Sequence, residues 1–214
     1  WQGAKTTTSY NTNVMHTRVN RFVDKAEKIT NIHRAAHPVK DVHVLFGGDM
    51  IEGLFNFPTQ PFEIDATLFE QFVTVANLMV AVIRRALTIY EHVHVVADCP
   101  EDIQRVEIGA YRALLIHGDE IGRNGYASTT TIVNHVNRWR SGVYPWHFRD
   151  VYVGHYHTHY QSSLADGSGA VYGTGSTESD NRYASVGLAS SAVPSQRLHF
   201  IDPKAGRVTA QYQV

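Results

Sequence analysis

Asp150-Val151-Tyr152-Val153-Gly154-His155-Tyr156-His157-Thr158-His159-Tyr160 reads as a short β-strand that ends in chemistry. The β-branched and aromatic run suits a pleated backbone, and Gly154 permits a sharp turn where the run stops. Period-two alternation then puts His155 and His157 on the same side of the chain. Two imidazoles converging at the C-terminal end of a strand suit a divalent transition metal. An ordinary strand with surface histidines would look the same, so the stretch gains its meaning from two others. Phe46-Gly47-Gly48-Asp49-Met50-Ile51-Glu52-Gly53 and Leu115-Ile116-His117-Gly118-Asp119 also end apolar runs in Gly, Asp or His. Three strands that deliver ligand-type residues at their ends are expected to form one site.

The chain has 214 residues, enough for one domain with a sizeable core, and residues 1–214 are taken as a single domain. It begins at Trp1 rather than Met and shows no signal peptide, so it is expected to be part of a longer gene product. A lone cysteine, Cys99, excludes an intrachain disulfide framework and fits a reducing compartment, the cytoplasm. The net charge of −1 excludes the global basic footprint of a DNA-binding module. With 13 histidines, each needs its own case.

In chain order, residues 1–13 are polar and aperiodic and read as a loop. Val14 to Ala36 carries apolar residues at helical spacing, closed by His37-Pro38; His33 and His37 read as an exposed helix end. Asp41 to Gly47 is expected as a strand covered on both faces. A long loop at 53–65 carries Phe55, Phe57 and Phe62, read as packing residues, and 66–91 as a buried core helix, with no membrane span. His92 to Ala97 is a strand, its histidines packed or at an edge; 103–108 and 111–116 form a hairpin about Gly109-Ala110. Only a short link joins that strand to the hairpin, where a parallel crossover needs about a dozen residues. Either the two meet directly or a segment is missing after Ala97. A helix at 129–140 with a partly buried His135, a strand at 170–173, and a hairpin over 197–202 and 207–214 complete an α/β chain.

GDxxxG, then HGD, then GHxH, each after a strand and in that order, resembles the calcineurin-like metallophosphoesterase superfamily. Within it the chain looks most like the phage and bacterial branch related to Mre11-type DNA exonucleases. Gly175-Ser176-Thr177-Glu178-Ser179-Asp180-Asn181 and Pro194-Ser195-Gln196-Arg197-Leu198-His199-Phe200 add to that likeness. The resemblance implies a sandwich of mixed β-sheets flanked by helices, with a metal site at the strand C-terminal ends. It implies two divalent metals, with Asp49 bridging them, His117 on one, and His155 and His157 divided between them. Imidazole with carboxylate favours manganese, with iron, zinc or magnesium as alternatives.

The chain departs from the family at two points. The aspartate of the opening Asp-x-His pair is expected just before Trp1, which sets Gln2, a poorer ligand, at the histidine position. Nothing in 97–102 matches the family's Gly-Asn-His motif, whose histidine acts as general acid or orients the phosphate. The expectation is that residues are missing at both points. Met50-Ile51-Glu52-Gly53 lacks the arginine with which phosphomonoesterases grip a dianion, which tilts the substrate toward a phosphodiester. Glu52, Asp119 and Arg123 are candidates to touch substrate or orient a ligand, with a loop-holding role for Glu52 as the alternative. The function expected is a DNA nuclease of phage replication, recombination or repair, in the host cytoplasm if phage-encoded. A patch such as Arg138, Arg140 and Arg149, a protein partner or a homo-oligomer would supply the phosphate contacts. The alternatives are an inactive interaction subunit of a DNA-processing assembly and a nucleotide phosphodiesterase.

Overall fold

A computed structural model describes residues 1–56, 58–99, 103–121, 127–180 and 193–214. The first helix, α1 (Thr12–Arg34), is capped by Asn11, whose side chain accepts from the Val14 amide at 3.0 Å. Strand β1 (Asp41–Phe46) pairs in parallel with β2 (His92–Ala97), and α2 (Leu68–Ile89) makes the crossover between them. Thr67 and Glu70 start α2 with a reciprocal capping box. The hairpin of β3 (Gln104–Ile108) and β4 (Tyr111–Ile116) continues through β5 (Asp150–Val153), β6 (Tyr160–Ser163) and β7 (Ala170–Gly173). These five form one mixed sheet in the order β3-β4-β5-β7-β6, in which β4, β5 and β7 are parallel. Helix α3 (Thr129–Arg138) precedes β5, and β8 (Arg197–Asp202) and β9 (Arg207–Gln213) form a separate antiparallel pair.

Three apolar clusters stack these elements into layers. Leu114, Ile116, Val151, Val153 and Val171 on one face of the five-stranded sheet pack against Ile132 and Val136 of α3. On its other face Tyr111, Ala113, Leu115, Tyr152 and Tyr172 meet Leu45 of β1, Val96 of β2, and Ile201 and Val208 of the last hairpin. Beyond that second layer, Met15 and Val19 of α1 close on Val75 and Leu78 of α2. The order is therefore helix, sheet, sheets, helices, a mixed α/β sandwich. Each fully buried Val, Leu or Ile contributes roughly 1.5–3 kcal/mol, so the doubly covered β4 and β5 are its strongest part.

Several expectations change. The stretch 1–13 is not all loop: Gly3 bridges in parallel to Ile51 and Lys5 antiparallel to Ile64. Lys5 is buried because it pairs with Glu52, which its polarity in sequence does not reveal. The short link after β2 needs no crossover, since β2 and β3 belong to different sheets. The connectivity ground for a missing segment thereby falls away. Strand β6 was not foreseen, because Gln161-Ser162-Ser163 lacks an apolar pattern. Strand β1 is only half-buried. Phe55 and Phe62 are exposed rather than packed, and Phe57 lies outside the described residues. His33 is not free at a helix end: its ring stacks on Phe200 at 3.7 Å, while His37 is exposed.

The largest correction concerns α2. By length and composition it is apolar enough to cross a membrane, with a mean hydropathy of 1.6, and the sequence reading expected a buried core helix. Only one face, Gln71, Val75, Leu78 and Ala86, is buried; Phe69, Phe72, Val73, Val80 and Leu87 face outward.

Candidate metal centre

Three strand ends meet at one point. Asp49 follows β1, His117 follows β4, and His155 and His157 follow β5. Asp49, His117 and His155 each present a donor atom within 4.8 Å of the others. His117 Nε2 lies 3.6 Å from Asp49 Oδ1, and His155 Nδ1 lies 3.9 Å from Asp49 Oδ2. The two rings approach at 3.2 Å, between His155 Nδ1 and His117 Nε2. His157 Nε2 stands 3.1 Å from Asp49 Oδ2. Tetrahedral ligands at zinc–nitrogen and zinc–oxygen lengths of 2.0–2.2 Å are separated by roughly 3.3–3.6 Å. The donor set and its spacing therefore fit a single cation among Asp49, His117 and His155, with His157 adjacent.

Neighbouring groups fix which nitrogen of His117 and of His157 faces the centre. His117 Nδ1–H donates to the Gly47 carbonyl at 3.2 Å, leaving Nε2 to point at Asp49. His157 Nδ1–H donates to Glu178 Oε1 at 2.5 Å, the carboxylate–histidine pairing common behind metal ligands. Burial opposes a proton on His157, yet Asp49 and Glu178 outweigh it and raise its pKa to about 9. For Asp49, burial is likewise the largest influence, but His157 and the charges of His117 and His155 hold its carboxyl below the usual range. Positive charge is thus demanded between these groups, by protons or by a cation.

The backbone here is strained. Among described non-glycine residues, positive φ occurs at Gln2, Ala4, Asp49, His155, His157 and Asp180. Four of these six are at the site, where such outliers mark function more often than elsewhere. The two histidines therefore face one point through left-handed turns at φ 49° and 50°, not through strand alternation. Gly154 lets two loops touch, since a Cβ there would lie 2.0 Å from the Gly47 carbonyl oxygen.

The other candidates separate. Gln2 is at the site, its Nε2 3.2 Å from His157 Nε2, and is placed there by the ladder of Gln2 and Gly3 amides to the Asp49 and Met50 carbonyls. Glu52 is turned away into a buried pair with Lys5 at 3.0 Å and a hydrogen bond from Gln60 at 3.2 Å. It holds the 53–65 loop. Asp119 is exposed, and Arg123 lies outside the described residues. Asp98 was missed: just after β2, its Oδ2 lies 3.7 Å from His117 Nδ1, and its buried Oδ1 has no hydrogen-bond partner among the described residues. Burial pushes the Asp98 carboxyl up, with nearby carboxylates adding to the shift and His117 opposing it. Glu178 was also missed as a site residue, although it follows β7 as Asp49, His117 and the two histidines His155 and His157 follow β1, β4 and β5. Of the proposed basic patch, Arg140 is tied to Asp166 at 2.8 Å and Arg149 approaches Asp150 at 3.9 Å. A cavity of about 690 Å³, bordered by α1, β1 and β8, includes Asp49, His155 and His157 in its lining.

No family model matches the chain, and no curated protein matches it. Among solved structures it is similar to wild-type Vps29 from Entamoeba histolytica complexed with Zn²⁺, at 14% identity and a TM-score of 0.43. That match covers 87% of this chain and 88% of the other. A single mutant of the same Vps29 matches at 14% identity and a TM-score of 0.44, covering 91% of this chain and 89% of that one. Likeness at this level assigns neither residues nor activity.

Proposed function

We propose that the chain is a divalent-metal-dependent phosphoesterase of the calcineurin-like metallophosphoesterase type, acting on phosphodiesters. The carrying observation is the convergence of Asp49, His117, His155 and His157 at the ends of three strands. Asp49, His117 and His155 would hold the first ion; His157, Asp49 and the Gln2 amide are the groups beside which a second would sit. A bound divalent ion supplies Lewis acidity toward a phosphoryl oxygen and a hydroxide at neutral pH. The chain's own part is orientation. Gly47 and Glu178 accept the outer N–H protons of His117 and His157, so their inner nitrogens face the reacting centre. The missing arginine in 50–53 supports a diester over a monoester dianion, and DNA is the diester polymer we favour, with manganese as the preferred ion.

A second reading, a catalytically silent interaction protein, is favoured by the outward apolar face of α2 and by Gln2 where a stronger ligand would stand. Metal-stripped protein, reloaded with Mn²⁺, Zn²⁺, Fe²⁺ or Mg²⁺, separates the two when assayed on bis(p-nitrophenyl) phosphate, p-nitrophenyl phosphate and linear DNA. Diester turnover that is abolished by Asp49→Asn and unchanged by His135→Ala on α3 is the expected result. Stoichiometric metal binding with no turnover on any substrate would transfer the proposal to the second reading. Glu178→Gln should weaken metal binding by about 10- to 100-fold in a chelator competition.

A further inference from the structure

The outward face of α2 carries a heptad seam. Phe69, Val73, Ala76, Val80, Ile83 and Leu87 recur at alternating spacings of four and three, the a/d pattern of a coiled coil. Phe69 is 76% exposed, Val73 44%, Val80 45% and Leu87 57%, so the seam is not spent on the protein's own core. That core takes the opposite face, through Val75, Leu78 and Ala86. Exposed apolar seams of this length mark contact with another element.

The seam is complementary to itself when reversed. Laid antiparallel on a second α2, Phe69 meets Leu87, Val73 meets Ile83, and Ala76 meets Val80, each twice. Every layer then sets a d residue against an a residue, as antiparallel pairs require. Phe stacks at the two ends, and the small Ala76 lies near the middle, where the helices approach most closely. One flank of the seam, the residue after each d or four after each a, is Glu70, Asn77 and Arg84. In the antiparallel pairing this flank faces its own copy, which puts Glu70 against Arg84 at both ends and Asn77 against Asn77 at the dyad. All three are exposed. Among the described ion pairs Arg84 has none, whereas Arg85 is paired to Asp24 and Glu27 within its own chain. A lipid surface would not call for charges placed in this register.

We propose that α2 is a self-association surface through which two copies of this chain pair as an isologous, antiparallel helix dimer. The pairing is two-fold and closed, so it stops at two copies. It rests on the exposed seam and its charge register, not on any activity of the metal centre.

Sedimentation equilibrium of the full chain, with reductant present because Cys99 is exposed, tests it. The expected mass is about twice the 24.0 kDa of one chain. Val80→Glu at the seam centre should give monomer with an unchanged far-UV circular dichroism spectrum. Arg84→Glu, which sets carboxylate against Glu70 at both ends, should raise the dimer Kd by at least about tenfold. Adding Glu70→Arg to Arg84→Glu should return the Kd to within about threefold of wild type, beyond the small loss of the capping box. A wild-type chain that stays monomeric overturns the proposal, and co-flotation of that monomer with phosphatidylcholine vesicles would assign the face to lipid. A dimer indifferent to Val80→Glu places the interface elsewhere. Arg84→Glu weakening without rescue by the double reversal refutes the antiparallel register.

Discussion

Acidification from pH 7 to pH 5 should cost the fold about 2 kcal/mol through His199 alone. His199 on β8 sits edge-on to Tyr172, with ring centroids 4.6 Å apart, and beside Tyr152 at 5.5 Å. Arg197 Nη1 donates to its Nε2 at 3.3 Å, so the ring proton is on Nδ1 and is donated to Tyr152 Oη at 2.8 Å. A second proton would have to sit on Nε2, facing the guanidinium. Burial first, then Arg197 and His159, push the pKa from 6.5 down to about 3. Between those values the unfolded chain binds the proton and the folded chain does not, so stability rises with pH across the window. The contribution is fully present above pH 6.5 and is lost as pH falls toward 3. At pH 5 the unfolded state has gained about 1.5 pK units of protonation, or about 2 kcal/mol at 1.36 kcal/mol per unit. Urea unfolding of metal-stripped wild type and His199→Gln at pH 7 and pH 5 isolates this share, since the other histidines titrate in both. Wild type should lose about 2 kcal/mol more than the variant. Parallel losses in the two proteins would refute the reasoning. Turnover should barely change in the variant, because the described contacts of His199 are with Tyr152, Tyr172 and Arg197 and not with Asp49, His117, His155 or His157.

Two further outcomes follow from single contacts. Gly48 has φ +87°, and a Cβ there would stand 2.1 Å from His117 Nδ1. Gly48→Ala should therefore destabilise by about 1–2 kcal/mol and displace His117. Unchanged zinc affinity in a chelator competition would count against His117 as a ligand. Lys5 and Glu52 are both almost wholly buried, so Lys5→Met leaves an uncompensated carboxylate and should cost about 3–5 kcal/mol in urea unfolding. Lys5→Met with Glu52→Leu should recover most of it; if the double variant is no more stable than the single, the pair is not what holds the 53–65 loop.

The strands that carry ligands were legible because each is an apolar run broken by glycine or a ligand-type residue. Asp49, His117, His155 and His157 could be named from that pattern, and the structure brings them together. The reason offered for His155 and His157 was wrong: left-handed turns aim them, and although His and Asp are enriched in that conformation outside glycine, they adopt it too rarely for residue type alone to foretell it. Glu178 carries the same strand-end position after β7, but a glutamate in a Ser/Thr-rich stretch has no distinguishing spacing. The burial of Lys5 depends on Glu52 and Glu63, remote in sequence, and was invisible for that reason. For α2 the composition was read correctly and its surroundings were not, since hydropathy counts apolar residues without saying what covers them.

The groups of the candidate metal centre come from both inner layers. Asp49 hangs from the two-stranded sheet, and His117, His155 and His157 from the five-stranded one. An ion held by both would act as a rivet through the sandwich, since sliding one sheet over the other would tear its coordination shell. Binding only the assembled state, it would add RT ln(1 + [ion]/Kd) to the stability of the whole fold, about 2.7 kcal/mol at a hundredfold excess over Kd. Chelation would then loosen the seam between layers far from the strand ends, and amides of β1 and β4 would exchange with solvent together.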